Sequence, residues 1–134
     1  MFNIVIGLCL CVNISFYSKS EEAILGKWEL IEIIENGQIV EISDPIKVDF
    51  SVEGKLGKFT GNTKKNFFSG LFDLKSKKQI QIQGLMATKM PDTDVSKKFL
   101  KYFGKISSYS FDNEALILSN DDLSQNLKLR KFEN

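Results

Sequence analysis

The sequence predicts an α+β domain: a curved antiparallel sheet or partial β-barrel with one helix, near residues 94–104, packed on it. Three observations carry that expectation. From Ile24 onward apolar and polar residues mostly alternate. Turn dipeptides separate the alternating runs. A single segment shifts to a helical stripe.

The elements follow in order. Asn36-Gly37 stands between two apolar runs and is the best hairpin signal in the chain. Ile46, Val48 and Phe50 alternate with Lys47 and Asp49, as in a strand with one buried and one wet face. Glu53-Gly54 and Ser69-Gly70 read as further turns. Ile80 and Ile82 alternate with Gln79, Gln81 and Gln83, a second half-buried strand. Pro91 then stops the pattern, and Asp92-Thr93-Asp94 offers an N-cap. Val95, Phe99, Leu100 and Phe103 form one apolar helical face. Lys101 and Lys105 suit the negative end of that helix, and Gly104 suits its C-cap. Asp112-Asn113 and Asp121-Asp122 mark loops between the closing strands, where Leu127 and Leu129 alternate with Lys128 and Arg130.

Length and composition bound the function. A chain of 134 residues holds one domain. Eleven Phe imply an aromatic core. Lys19 is the only basic residue among the first twenty, so residues beyond them balance 17 basic against 17 acidic side chains. Nucleic acid is therefore not an expected partner, since such a surface needs clustered excess Lys and Arg. The chain has no His, which removes the commonest general base and metal ligand. Both cysteines, Cys9 and Cys11, lie in the N-terminal apolar run, so the remainder has no thiol chemistry and no zinc site.

Residues 2–17 are almost wholly apolar yet short for a membrane span. They read as the apolar region of a signal peptide, with Ser18-Lys19-Ser20 supplying small residues for cleavage after Ser20. Residues 1–20 are thus expected to be a signal peptide or N-terminal anchor, with lipidation at a cysteine as a variant. Residues 24–132 form the expected domain. The expected location is the periplasm, cell envelope or exterior, and membrane contact is expected only through that anchor.

Three stretches together resemble the META/HslJ family. Leu25-Gly26-Lys27-Trp28-Glu29-Leu30 is similar to its opening strand. Gly61-Asn62-Thr63-Lys64-Lys65-Asn66-Phe67-Phe68-Ser69-Gly70-Leu71-Phe72 resembles its G-x-x-G-C-N-x-(Y/F)-x-G-x-Y segment. Ala87-Thr88-Lys89-Met90-Pro91-Asp92 resembles its M-T-R-M-x-C segment, again followed by a helix. The positions carrying the match are Gly26, Trp28, Gly61, Asn66, Gly70, Thr88 and Met90. Lys65 and Asp92 stand where the family often has Cys, so no thiol-dependent activity can be carried over. The resemblance implies a small antiparallel fold, an envelope or secreted location, and a stress- or virulence-related role. It implies no catalytic residue and no cofactor.

The singled-out residues also have plain structural readings. Gly26-x-Trp28 resembles the first-strand signature of lipocalins as well, and the Trp is expected as a barrel plug. Asn62 and Asn66 are expected to close turns, and Lys64-Lys65 to sit in a solvated loop. Thr88 is expected on a strand and Met90 in the core or a pocket wall. Lys65 and Asp92 are either a salt bridge in place of a thiol pair or two unrelated surface changes. Function divides accordingly. The first expectation is a monomeric, non-enzymatic envelope module that contacts another envelope protein. The alternative is a lipocalin-like barrel binding a hydrophobic ligand, with Phe59, Phe67, Phe68, Phe72, Phe99, Phe103 and Phe111 lining either a solid core or a pocket. A hydrolase lacks His, Cys and a nucleophile elbow.

Overall fold

A computed structural model describes residues 22–132. The expected signal segment lies outside the described residues. From Gly26 to the end of the described residues the order is β1 (Gly26–Glu35), β2 (Gln38–Glu41), β3 (Lys47–Glu53), β4 (Leu56–Asn62), β5 (Phe67–Lys75), β6 (Gln79–Ala87), α1 (Asp94–Phe103), β7 (Ser108–Asp112), β8 (Ala115–Ser119) and β9 (Gln125–Lys131). Every described pairing is antiparallel.

The sheet does not stop at a partial barrel. β1 pairs with β9, from Trp28↔Lys131 to Glu35↔Gln125, and joins the first strand to the last. β1 and β3 to β9 thus make a closed barrel of eight strands, with β2 folded back on β1 beside it. Closure removes most free sheet edge, the usual hazard of an antiparallel sheet. One seam is thin: β6 meets β7 at a single register pair, Gln79↔Ser108, because α1 is inserted in the connection between them.

Local chemistry explains the turns. Asn36 and Gly37 both have positive φ, 49° and 82°, between the paired Glu35 and Gln38. Two such residues match the strand twist in a tight hairpin. Ser69-Gly70, expected as a turn, lies inside β5 instead. Gly70 is needed there for space: a Cβ would come within 2.5 Å of the Phe59 ring. Gly61 on β4 has the same role, since a Cβ would meet the Phe68 ring at 2.3 Å. Two motif glycines are therefore seats for core rings, and a glycine that reads as a loop signal is a packing device in a strand.

Helix α1 matches its expected position. Thr93 is the N-cap, with its hydroxyl accepting from the Ser96 N–H, and Gly104 is the C-cap. The helix presents Phe99 and Phe103 to the barrel, both fully buried, while Val95 packs at the margin. Their rings meet Phe50, Phe59 and Phe68 at centroid distances from 5.0 Å to 6.2 Å. Phe72 adds an edge contact to Phe50 at 5.2 Å. The interior is thus filled by interlocked Phe rings, in geometries that favour aromatic pairs beyond simple burial. Trp28 is 2% exposed, donates its indole N–H to the Ile24 carbonyl and packs on Phe111, as a plug would.

Candidate functional site

The second and third family-like stretches meet at Asn66. This residue ends the β4–β5 loop and is 5% exposed. Its carboxamide nitrogen donates to the Met90 carbonyl and to Asp92 Oδ2, each at 2.9 Å. Its Oδ1 accepts from the Thr88 hydroxyl at 2.7 Å and from the Met90 N–H at 2.8 Å. Both donors and both acceptor positions of the amide are filled. The Thr88 hydroxyl in turn accepts from the Phe67 N–H at 3.0 Å.

Asn66 was expected to close its own turn. The structure gives that task to Thr63, which is 2% exposed. The Thr63 hydroxyl accepts from the Asn66 N–H at 3.1 Å, and the Thr63 N–H donates to the Asn66 carbonyl at 2.8 Å. Thr63 also donates to Asp92. The side chain of Asn66 is freed by this arrangement to bind the segment between β6 and α1. Asn62 donates only weakly, at 3.5 Å, to the Thr63 carbonyl.

Asp92 is drawn inward and not toward Lys65. It accepts from Thr63, Asn66 and the Thr93 N–H. Partial burial works to raise its pKa, but the bonds from Thr63, Asn66 and Thr93 outweigh that and hold it below the usual range. No Lys65–Asp92 ion pair forms among the described residues, so of the two readings of these positions the salt bridge fails and two unrelated changes remain. A hydrogen-bonded carboxylate stands at one position and an exposed loop lysine at the other.

The network continues into the helix. Thr93 and Ser96 both donate to Asp44, which ties the β2–β3 loop to the start of α1. A carboxylate there also suits the positive end of the helix dipole. Near its other end α1 is held by Glu35 on β1. Glu35 accepts from Lys98 at 2.8 Å and from the Tyr102 hydroxyl. These bonds lower the pKa of Glu35, and the carboxylate pushes Tyr102 up to about 12.

Of the hydroxyls here, Thr88 donates to the Asn66 amide oxygen and Thr63 to the Asp92 carboxylate. No cluster of metal-ligating side chains occurs among the described residues. The arrangement holds loops in place.

What it holds faces outward. Met90, expected in the core or a pocket wall, is 61% exposed. Phe67, grouped by the sequence with the core rings, is 73% exposed, and Met86 is 72% exposed. Thr88, expected on a strand, falls just beyond the end of β6. Phe67 and Met86 border a shallow apolar groove of about 440 Å3 on the outer wall, with Thr60, Gly61, Ser69 and Thr88. Lys64, Lys65 and Lys89, on the two segments that Asn66 joins, are exposed. A signal for the outward Phe67 was available: neighbouring residues on one strand face opposite ways, so the Phe67-Phe68 pair had to split.

No curated protein matches the sequence significantly. A solved crystal structure of a DUF4847-family protein from Bacteroides vulgatus ATCC 8482 is similar in fold, at 14% identity and a TM-score of 0.65, over 84% of this chain and 98% of that one. The META domain model matches residues 22–132, the whole barrel with its helix and every motif residue that meets at Asn66. The chain belongs to the META domain family.

Proposed function

We propose that this META domain is a non-catalytic binding module of the cell envelope, which engages another envelope component on its outer wall and encloses no ligand. The observation that carries the reading is the division of the aromatic residues. Phe50, Phe59, Phe68, Phe99 and Phe103 fill the barrel interior, whereas Phe67, Met86 and Met90 project from it beside the motif network. Small barrels commonly fill their interiors with side chains, which leaves the outside as the place for recognition. Exposed apolar side chains gathered at one place mark interaction sites on soluble domains. The envelope location rests on the apolar residues 2–17, and a stress- or virulence-related role rests on family resemblance.

The test is a titration with an acyl-chain fluorophore, paired with a photo-crosslinking side chain at position 67. The expected result is no saturable one-to-one uptake of the fluorophore, and crosslinking in cells that depends on position 67 and is absent from exposed Leu123. Saturable uptake unaffected by Phe67→Ser would overturn the reading and favour a lipocalin-like barrel.

A further inference from the structure

We infer that the patch around Asn66 is a docking surface for an anionic phospholipid membrane. The inference rests on the outer-wall reading, names the component that the wall meets, and departs from the expectation that membrane contact runs only through residues 1–20.

Two chemistries coincide in this patch. Phe67, Met86 and Met90 are 73%, 72% and 61% exposed, so they protrude and do not line a closed cup. Lys64, Lys65 and Lys89 are exposed, and none forms an ion pair among the described residues. The carboxylate within the motif network, Asp92, is occupied by Thr63, Asn66 and Thr93. A domain with no net excess of charge therefore carries a local positive excess here, interleaved with apolar side chains.

The same network fixes the arrangement. Lys64 and Lys65 lie on the loop closed between Thr63 and Asn66. Lys89 stands between Thr88 and Met90, the two residues that Asn66 bonds from the other segment. One buried amide therefore brings both lysine-bearing loops to the same place and holds them without using the lysines.

The chemistry of the cluster favours a lipid surface over a protein. Protein interfaces are depleted of Lys. A membrane interface rewards protruding Phe and Met at the acyl boundary and Lys at the phosphates, and binding scales with both contributions. Long Lys stems reach the headgroups while their methylenes remain against apolar surface.

The experiment is vesicle co-sedimentation of the full chain. Vesicles of phosphatidylcholine alone are compared with vesicles containing phosphatidylglycerol. Residues 2–17 are common to every variant, so ratios between variants report the patch alone. The expected result is binding that strengthens with the anionic lipid and loses that increment in high salt. The triple variant Lys64→Gln, Lys65→Gln, Lys89→Gln should bind about a hundredfold more weakly, from roughly fivefold per lysine. Phe67→Ser with Met86→Ser should weaken binding yet preserve its salt dependence. All five positions are exposed, so unchanged thermal melting checks that each variant folds. Equal binding of the wild type and the triple variant overturns the inference. Absence of vesicle binding together with a crosslink from position 67 to a protein overturns it too, but leaves the outer-wall reading standing. Saturable acyl uptake into the barrel removes both.

Discussion

Phe67 and Phe68 are adjacent, chemically identical and opposite in fate. Phe68 is 3% exposed and packs on Phe59, Phe99 and Phe103, whereas Phe67 is 73% exposed on the outer wall. The strand's alternation alone separates them. The difference teaches that composition does not say what an aromatic residue is for. One ring is held by other rings and by a glycine seat at Gly61, and the other keeps most of its surface in water at the border of a shallow groove.

The largest expected effect breaks that symmetry directly. Phe68→Ala, or Phe99→Ala, should destabilise the domain by about 3–5 kcal/mol, as for other fully buried Phe truncations. Phe67→Ala should change stability by less than about 0.5 kcal/mol, as at ordinary surface sites. Urea unfolding of the three variants reads both numbers. A large loss for Phe67→Ala would mean that its outward position is structural.

Next comes the amide that divides inside from outside. Asn66→Ala removes four hydrogen bonds from the buried amide to partners that are only partly buried, and should cost about 2–3 kcal/mol, from about 0.5–1.5 kcal/mol for each bond lost. Equilibrium unfolding tests it, and a loss below about 0.5 kcal/mol would show that the network contributes little.

Acid should act through the same place. The Asp92 carboxylate has a folded pKa held below its ordinary value, so its contribution is complete above about pH 4, the ordinary Asp range, and is lost as pH falls through the lowered value. Melting temperature measured from pH 7 to pH 2 should fall more for the wild type than for Asp92→Asn. Glu35 acts in the same direction, so the difference between the two proteins isolates Asp92. Parallel curves would remove Asp92 from the account.

The smallest effect concerns Lys65. Lys65→Ala should alter stability by no more than about 0.5 kcal/mol. A double-mutant cycle with Asp92→Asn should show no coupling. Coupling well above that level would restore the salt bridge that the geometry lacks.

Much of the fold was legible in local pattern. The alternation at Ile46, Val48 and Phe50, the Asn36-Gly37 turn and the helix with its Thr93 cap all depend on neighbours in sequence. What escaped depends on distant partners. Closure of β1 on β9 leaves no local trace, and the Arg130–Glu29 contact spans 101 residues. Ser69-Gly70 looked like a turn because Gly is ambiguous until the ring of Phe59 is placed over it. Met90 looked like core because it is apolar, yet only its backbone is used by Asn66. The motif residues of the site were identified, but not their purpose, since the bonds of Asn66 cross up to 26 residues.

The single rung joining β6 to β7 carries a final consequence. The two strands share one register pair, helped by Ile80 N–H to the Ser107 carbonyl and Tyr109 N–H to the Lys78 carbonyl. Strand separation therefore begins there at the smallest expense in hydrogen bonds, while the long β1–β9 contact stays shut. Deuterium should enter the outer edge of β6 first, and a protease should find that edge before any other strand. On this expectation the barrel is a bracelet with a clasp, and the clasp lies where Gly104, the C-cap of α1, comes close to Leu85 on β6.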